Sequence, residues 1–199
     1  MKQLHSPALY GWSVFDESRN LDFHSFLWLR EEGNVVIDPL PLSSHDQMHL
    51  DALGGVSLIV VTNSDHCRDA ENIAKRYHAR ICGPLAEQET FPIHCDRWLT
   101  DNEVIVPELI AYTVNGSKTP GELALLLTEK TLITGDLIRC HLAGSLCLLP
   151  EAKLADKNEA QDSVRRLVDR CNVETVLTGD GWPVFQFGAE ALRKLIASF

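Results

Sequence analysis

The sequence predicts a mixed α/β or α+β domain whose sheets are covered by helices, and three observations support this. Short apolar runs of strand length each stop at a polar, turn-forming cluster. Amphipathic helical periods alternate with those runs. No Gly-, Ser- or Pro-rich linker and no low-complexity stretch divides the chain. With 199 residues and 45% hydrophobic residues, residues 1–199 are expected to form a single domain with a sizeable core.

The elements follow in order. Asn34-Val35-Val36-Ile37-Asp38 reads as a strand running into a proline-punctuated turn, and Val56 to Val61 as a second strand running into Thr62-Asn63-Ser64-Asp65. Between them, Ser44 and Gln47 have capping-box spacing, and Gly54-Gly55 ends the helix they begin. Ala70, Ile73, Ala74 and Tyr77 share one helix face. Leu123 to Leu127 and Thr131 to Ile133, joined by Thr128-Glu129-Lys130, read as a hairpin. Asp156 with Glu159 opens a helix whose apolar face is Ala160, Val164, Leu167 and Val168. Val173 to Leu177 is a further strand, and Ala191, Leu192, Leu195, Ile196 and Phe199 mark a last amphipathic helix. The aromatic residues Trp12, Phe15, Phe23, Phe26 and Trp28 are expected in the core or in a pocket wall.

Charge and cysteine usage exclude some functions. A net charge of −10 argues against nucleic acid or an anionic membrane as partner. No run of about 18 apolar residues occurs, and the N-terminal segment lacks the apolar stretch of a secretory signal. The six cysteines show no zinc-knuckle spacing and read as reduced core thiols, so a cytoplasmic location is expected. His45 and His49 lie four residues apart, but without an adjoining glutamate motif they read as a solvent face. His94, in an apolar-flanked segment, reads as a packed, satisfied histidine.

Three aspartates carry the chemical signal. Asp65, Asp136 and Asp180 each stand just beyond the end of a buried strand, where a rigid scaffold holds functional groups in fixed geometry. Taken singly, each is more simply a helix cap or turn residue. Two of them share one phrase, Ile133-Thr134-Gly135-Asp136 and Leu177-Thr178-Gly179-Asp180, and His66 directly follows the third.

These segments together resemble the metallo-β-lactamase superfamily. Val60-Val61-Thr62-Asn63-Ser64-Asp65-His66 is similar to the family's His-x-His-x-Asp-His strand end. Asn115-Gly116-Ser117-Lys118-Thr119-Pro120-Gly121 resembles its Pro-Gly-His-Thr-Pro-Gly loop. Ile133 to Asp136 resembles the strand that delivers the metal-bridging aspartate, and Leu177 to Gly181 the closing Gly-His-Gly. Val36-Ile37-Asp38-Pro39 matches the opening strand and turn. The five segments occur in family order from roughly Phe23 to Trp182. The resemblance implies a four-layer αββα sandwich.

The departures reshape the site. Where the family's first metal takes three histidines, this chain has Val61, Asn63 and Lys118, none of which suits zinc. The second metal's positions hold Asp65, His66, Asp136 and, in place of a histidine, Asp180. That hard donor set suits one Mn, Fe or Mg ion at least as well as Zn. The resemblance then implies metal-dependent hydrolysis of a small-molecule ester, thioester, lactone or phosphodiester, with Asp65 as general base and Lys118 stabilising an oxyanion. Asn63, His24 and Arg139 are expected to line the pocket. A second reading stands beside it: Lys118 and Arg139 neutralise the aspartates as ion pairs, no metal binds, and the protein is a binder or scaffold on the same fold.

Overall fold

The computed structural model describes residues 1–199, and the chain builds two sheets one after the other. The first half contributes β1 (Lys2–Gln3), β2 (Leu9–Asp16), β3 (Leu21–Trp28), β4 (Val35–Ile37), α1 (Ser44–Ala52), β5 (Leu58–Val60), α2 (Ala70–Tyr77), β6 (Arg80–Pro84) and β7 (Arg97–Leu99). Its seven strands lie side by side in chain order. β1 to β4 pair antiparallel, and β4 to β7 pair parallel. The change to parallel pairing coincides with the crossover helices α1 and α2, as parallel neighbours require a long connection.

The second half contributes β8 (Glu103–Val106), β9 (Leu109–Thr113), β10 (Leu123–Leu127), β11 (Thr131–Thr134), β12 (Ile138–Leu142), β13 (Ser145–Leu148), α3 (Lys157–Arg170), β14 (Thr175–Thr178) and α4 (Gly188–Ala197). Five of these strands form the second sheet in the order β14-β11-β10-β9-β8, while β12 and β13 form a separate hairpin. β14 returns parallel to β11 after the α3 crossover.

Alternation along the strands decides what packs where. Val35, Ile37, Leu58 and Val60 from the first sheet meet Leu123, Leu125, Leu127, Ile133 and Leu177 from the second, forming the core between the sheets. The intervening residues Val36, Ile59, Val61 and Ile81 turn the other way and pack with Leu50, Ala70 and Ile73 of α1 and α2. On the far side, Ala124, Leu126, Leu132 and Val176 pack with Val164, Leu167, Leu192 and Leu195 of α3 and α4. Strands buried on both faces read as unbroken apolar runs. The result is the four-layer αββα sandwich that the motifs imply.

Three local expectations change. The first helix is capped by Ser43, not Ser44: the Ser43 hydroxyl accepts from the Asp46 backbone N–H at 3.1 Å. Phe15 is exposed near the tip of the β2–β3 hairpin, although Trp12, Phe26 and Trp28 are core residues. His94 is exposed rather than packed, while its neighbour Cys95 is buried. Asp156 caps α3 as its spacing predicts, accepting from Glu159 N at 2.9 Å. All six cysteines are free, and no helix is long and apolar enough to cross a membrane.

Candidate functional site

The site forms where the ends of β4, β5, β11 and β14 meet at one edge of the sandwich. The two sheets are joined there: Leu123 N donates to Thr62 O at 2.8 Å, and His24 N donates to Gly179 O at 2.9 Å. The repeated Thr-Gly-Asp phrase has a packing cause. A Cβ on Gly135 would lie 2.8 Å from Thr62 Oγ1 and 3.0 Å from both Asn63 Nδ2 and Glu122 Oε1. On Gly179 it would lie 2.9 Å from both His66 Cε1 and Gly135 O. Glycine lets the two strand ends close on each other and on the His66 ring. Gly135→Ala is therefore expected to destabilise the fold by about 1–3 kcal/mol in a urea titration. An unchanged midpoint would mean that this junction is loosely packed.

A cleft of about 460 Å³ opens over this junction, and Asp65, His66, Lys118, Asp136, Arg139 and Asp180 all line it. Lys118 Nζ sits between two carboxylates, 2.7 Å from Asp65 Oδ2 and 2.9 Å from Asp136 Oδ2. Arg139 grips Asp180 with a two-pronged fork, Nε to Oδ1 at 2.8 Å and Nη2 to Oδ2, and both residues are buried. His66 is buried between Asp38, whose Oδ2 lies 2.8 Å from its Nδ1, and Asp136, whose Oδ1 lies 3.6 Å from its Nε2.

These contacts set the protonation states. Burial opposes a charge on His66, but Asp38, helped by Asp136, outweighs it and pushes the imidazole up to about 9. Burial acts to raise Asp136 as well, yet His66 and Lys118 hold its carboxyl well below the usual carboxylate range. Burial disfavours the Lys118 ammonium, and Asp65 and Asp136 more than restore it. Behind Asp136, Glu122 accepts from Ser117 Oγ at 2.6 Å and Leu137 N at 2.8 Å. Burial, then the nearby Asp136, pushes its carboxyl up to about 7.

The other expected pocket residues sit elsewhere. Asn63 is fully buried and reaches the cleft only through its neighbours: its amide donates to Asp136 at 3.2 Å and its oxygen accepts from Asp65 N at 3.0 Å. The His24 ring lines a neighbouring cavity and bonds to Gly181 O. Three site residues had no assigned role from the motifs. Asp38 holds Thr62 N, Thr62 Oγ1 and His66 Nδ1 with one carboxylate, at 2.7, 2.7 and 2.8 Å. Its φ of +49° turns it off the β4 end toward His66. Arg68 and Lys153 line the cleft. Arg68 stands two positions after His66, a spacing that could have flagged it; Lys153 carries no sequence signal.

As arranged, this donor set does not fit a divalent ion. A metal-binding imidazole needs a free lone pair aimed at the ion, whereas His66 Nδ1 is bonded to Asp38 at 2.8 Å and its Nε2 faces Asp136 Oδ1 at 3.6 Å. Asp65, Asp136 and Asp180 are each already paired with a lysine or arginine. No three His, Cys, Asp or Glu side chains converge in a metal-holding group.

Comparison with known proteins agrees with the architecture. Among solved structures, the chain is similar to a metallo-β-lactamase from Pontibacter korlensis at 17% identity and a TM-score of 0.76, covering 99% of this chain and 98% of that one. It is similar to a metallo-β-lactamase from Erythrobacter litoralis at 13% identity and a TM-score of 0.73, covering 99% and 92%. A metallo-β-lactamase family protein from Thermus thermophilus matches at 17% identity and a TM-score of 0.72, covering 97% and 79%. At these identities the likeness establishes the fold alone. No curated protein matches significantly. A family profile described as the metallo-beta-lactamase superfamily matches residues 1–199. By that match over its whole length, the chain belongs to the metallo-β-lactamase superfamily.

Proposed function

We propose that this chain is a metal-free, small-molecule-binding member of its superfamily, in which side-chain cations stand against the carboxylates that would otherwise face a metal. The observation that carries this reading is the Lys118 ammonium, 2.7 and 2.9 Å from Asp65 and Asp136. With the Arg139 fork on Asp180 and the His66 imidazolium between Asp38 and Asp136, it leaves none of the three cleft aspartates without a cation. An ion entering among them would have to displace a charged partner, at an energetic cost. The hydrolase reading with one Mn, Fe, Mg or Zn ion requires that displacement, and it requires Asp65 to act as a base while Lys118 is bonded to it. In the binding reading Asp65, His66, Lys118, Asp136, Arg139 and Asp180 form a rigid polar floor beneath the ligand.

The test is metal content together with metal response. Protein purified without chelator is expected to carry well under about one metal per chain, and its melting temperature should not change with chelator or with added Zn²⁺, Mn²⁺, Fe²⁺ or Mg²⁺. Nitrophenyl esters, thioesters, lactones and bis-nitrophenyl phosphate should not turn over with any of these ions. A stoichiometric metal whose removal lowers the melting temperature, or turnover abolished by Asp136→Ala, would overturn the proposal in favour of the hydrolase.

A further inference from the structure

The cleft holds more positive charge than its own ion pairs use. Five cationic side chains line it (Arg19, Arg68, Lys118, Arg139 and Lys153) against three aspartates, Asp65, Asp136 and Asp180. His66, the remaining ionisable group of the lining, is bonded from behind to Asp38 at 2.8 Å. Arg19 has Asp16 beside it, so the excess rests on the two cations of the lining with no carboxylate partner, Arg68 and Lys153, in one concavity of a chain whose net charge is −10.

Arg68 is the focus of that excess. Its Nη1 donates to the backbone oxygens of His24 and Asp38, at 2.8 and 3.0 Å, which anchors the guanidinium. No carboxylate lies within 4 Å of it, and its Nε and Nη2 have no protein partner, so three of its five N–H donors are unspent. The guanidinium stacks over the Phe23 ring at 5.6 Å, and Arg19 stacks over the same ring at 5.5 Å. Arg19 has only a surface carboxylate, Asp16, at 3.6 Å, and Lys153 has no ion-pair partner. Phe23, Leu40 and Leu149 supply apolar wall beside these cations.

We infer that the cleft binds a small phosphate monoester, its dianionic phosphate held by the free edge of Arg68 with Lys153 and Arg19, and its organic body against Phe23, Leu40 and Leu149. A phosphate monoester carries about 1.5 to 2 negative charges at neutral pH, which matches the excess. Its tetrahedral oxygens accept a planar two-donor edge and a point charge together. A carboxylate would leave roughly half of the excess unmatched. The volume, about 460 Å³, lies within the usual range for small-ligand sites.

This inference rests on the metal-free reading, so binding is measured on chelator-treated protein with its metal content determined. Phenyl phosphate, inorganic phosphate and benzoate are titrated calorimetrically at constant ionic strength. Phenyl phosphate is expected to bind at least about tenfold more tightly than benzoate, which presents the same ring with one charge. Arg68→Lys keeps the charge but loses the fork, and should weaken phenyl phosphate about tenfold. Lys153→Gln should weaken it several-fold, and Lys194→Gln, on α4 beside Glu190, should not change it. Lys153 is exposed with no side-chain bond, so its variant keeps the test valid if Arg68→Lys fails to fold. Absence of phenyl phosphate binding to wild-type protein, equal affinity for benzoate, or wild-type affinity in Lys153→Gln would overturn the inference. A bound metal would instead defeat the metal-free reading, and the two failures are read independently.

Discussion

Asp180→Ala is expected to destabilise the protein by about 3–5 kcal/mol. The substitution leaves the Arg139 guanidinium, itself buried, without the carboxylate that takes its fork. A buried charge that loses its partner keeps its desolvation cost and loses the attraction that offset it. Replacing both partners by apolar residues of similar volume, as in Arg139→Met with Asp180→Leu, is expected to cost far less than Asp180→Ala alone, since no charge is then stranded. Urea titration of Arg139→Met, Asp180→Leu and the double variant gives the coupling between them. A double variant as unstable as the sum of the singles would refute the pairing as the source of the effect.

Stability is expected to fall as pH rises from about 6.5 to about 9, by an amount on the order of 3 kcal/mol. His66 is pushed from its ordinary 6.5 to about 9 in the fold by Asp38 and Asp136, against burial. The folded state thus binds a proton that the unfolded chain releases within this interval. The stabilisation is complete below the unfolded value and disappears as pH rises through the folded one. Glu122 acts in the same direction at lower pH. Its carboxyl stays protonated in the fold up to about 7 and ionises in the unfolded chain from about 4.5, so it costs stability between those values. Asp136 works the other way, and its contribution is lost as pH falls below the ordinary 3.8. Thermal melts of wild type and His66→Gln isolate the histidine between pH 7 and 9, above the range of Glu122. The wild type should lose stability there and the variant should not. A loss that persists in His66→Gln would mean that the imidazole is neutral in the fold.

Both predictions describe a site held together by fixed internal charges. Catalysis in this architecture would need a group free to change its bonding, and the cleft floor offers few. Asp65 is the most exposed of the paired aspartates, and its partner Lys118 is the least buried of the pairing cations. Change at this site, on ligand binding or by mutation, is therefore easiest at the Asp65–Lys118 pair and hardest at Arg139–Asp180.

Much of the fold was legible in the sequence because it depends on local pattern. Apolar runs of strand length ended by Thr-Gly-Asp, and helices spaced between them, identify β5, β10, β11, β14 and the helices that cover them, and their order carries the family resemblance. That Val61, Asn63 and Lys118 stand where the resemblance places metal-site histidines was equally plain, since it is a matter of residue identity. The partners of each charge were not legible. Whether Asp180 faces an ion or Arg139 depends on the β12–β13 hairpin that carries Arg139 to the end of β14. Asp38 and His66, 28 positions apart, meet because β4 and β5 run parallel with their ends together. The free donors of Arg68 follow from two carbonyls, of His24 and Asp38, that anchor only one of its nitrogens. The sequence by itself determined the architecture and the inventory of carboxylates and cations, through patterns a few residues long. Only the tertiary structure decided how they pair: those pairs span tens of residues, and their energies depend on distance and burial, which exist only once the sheets have closed.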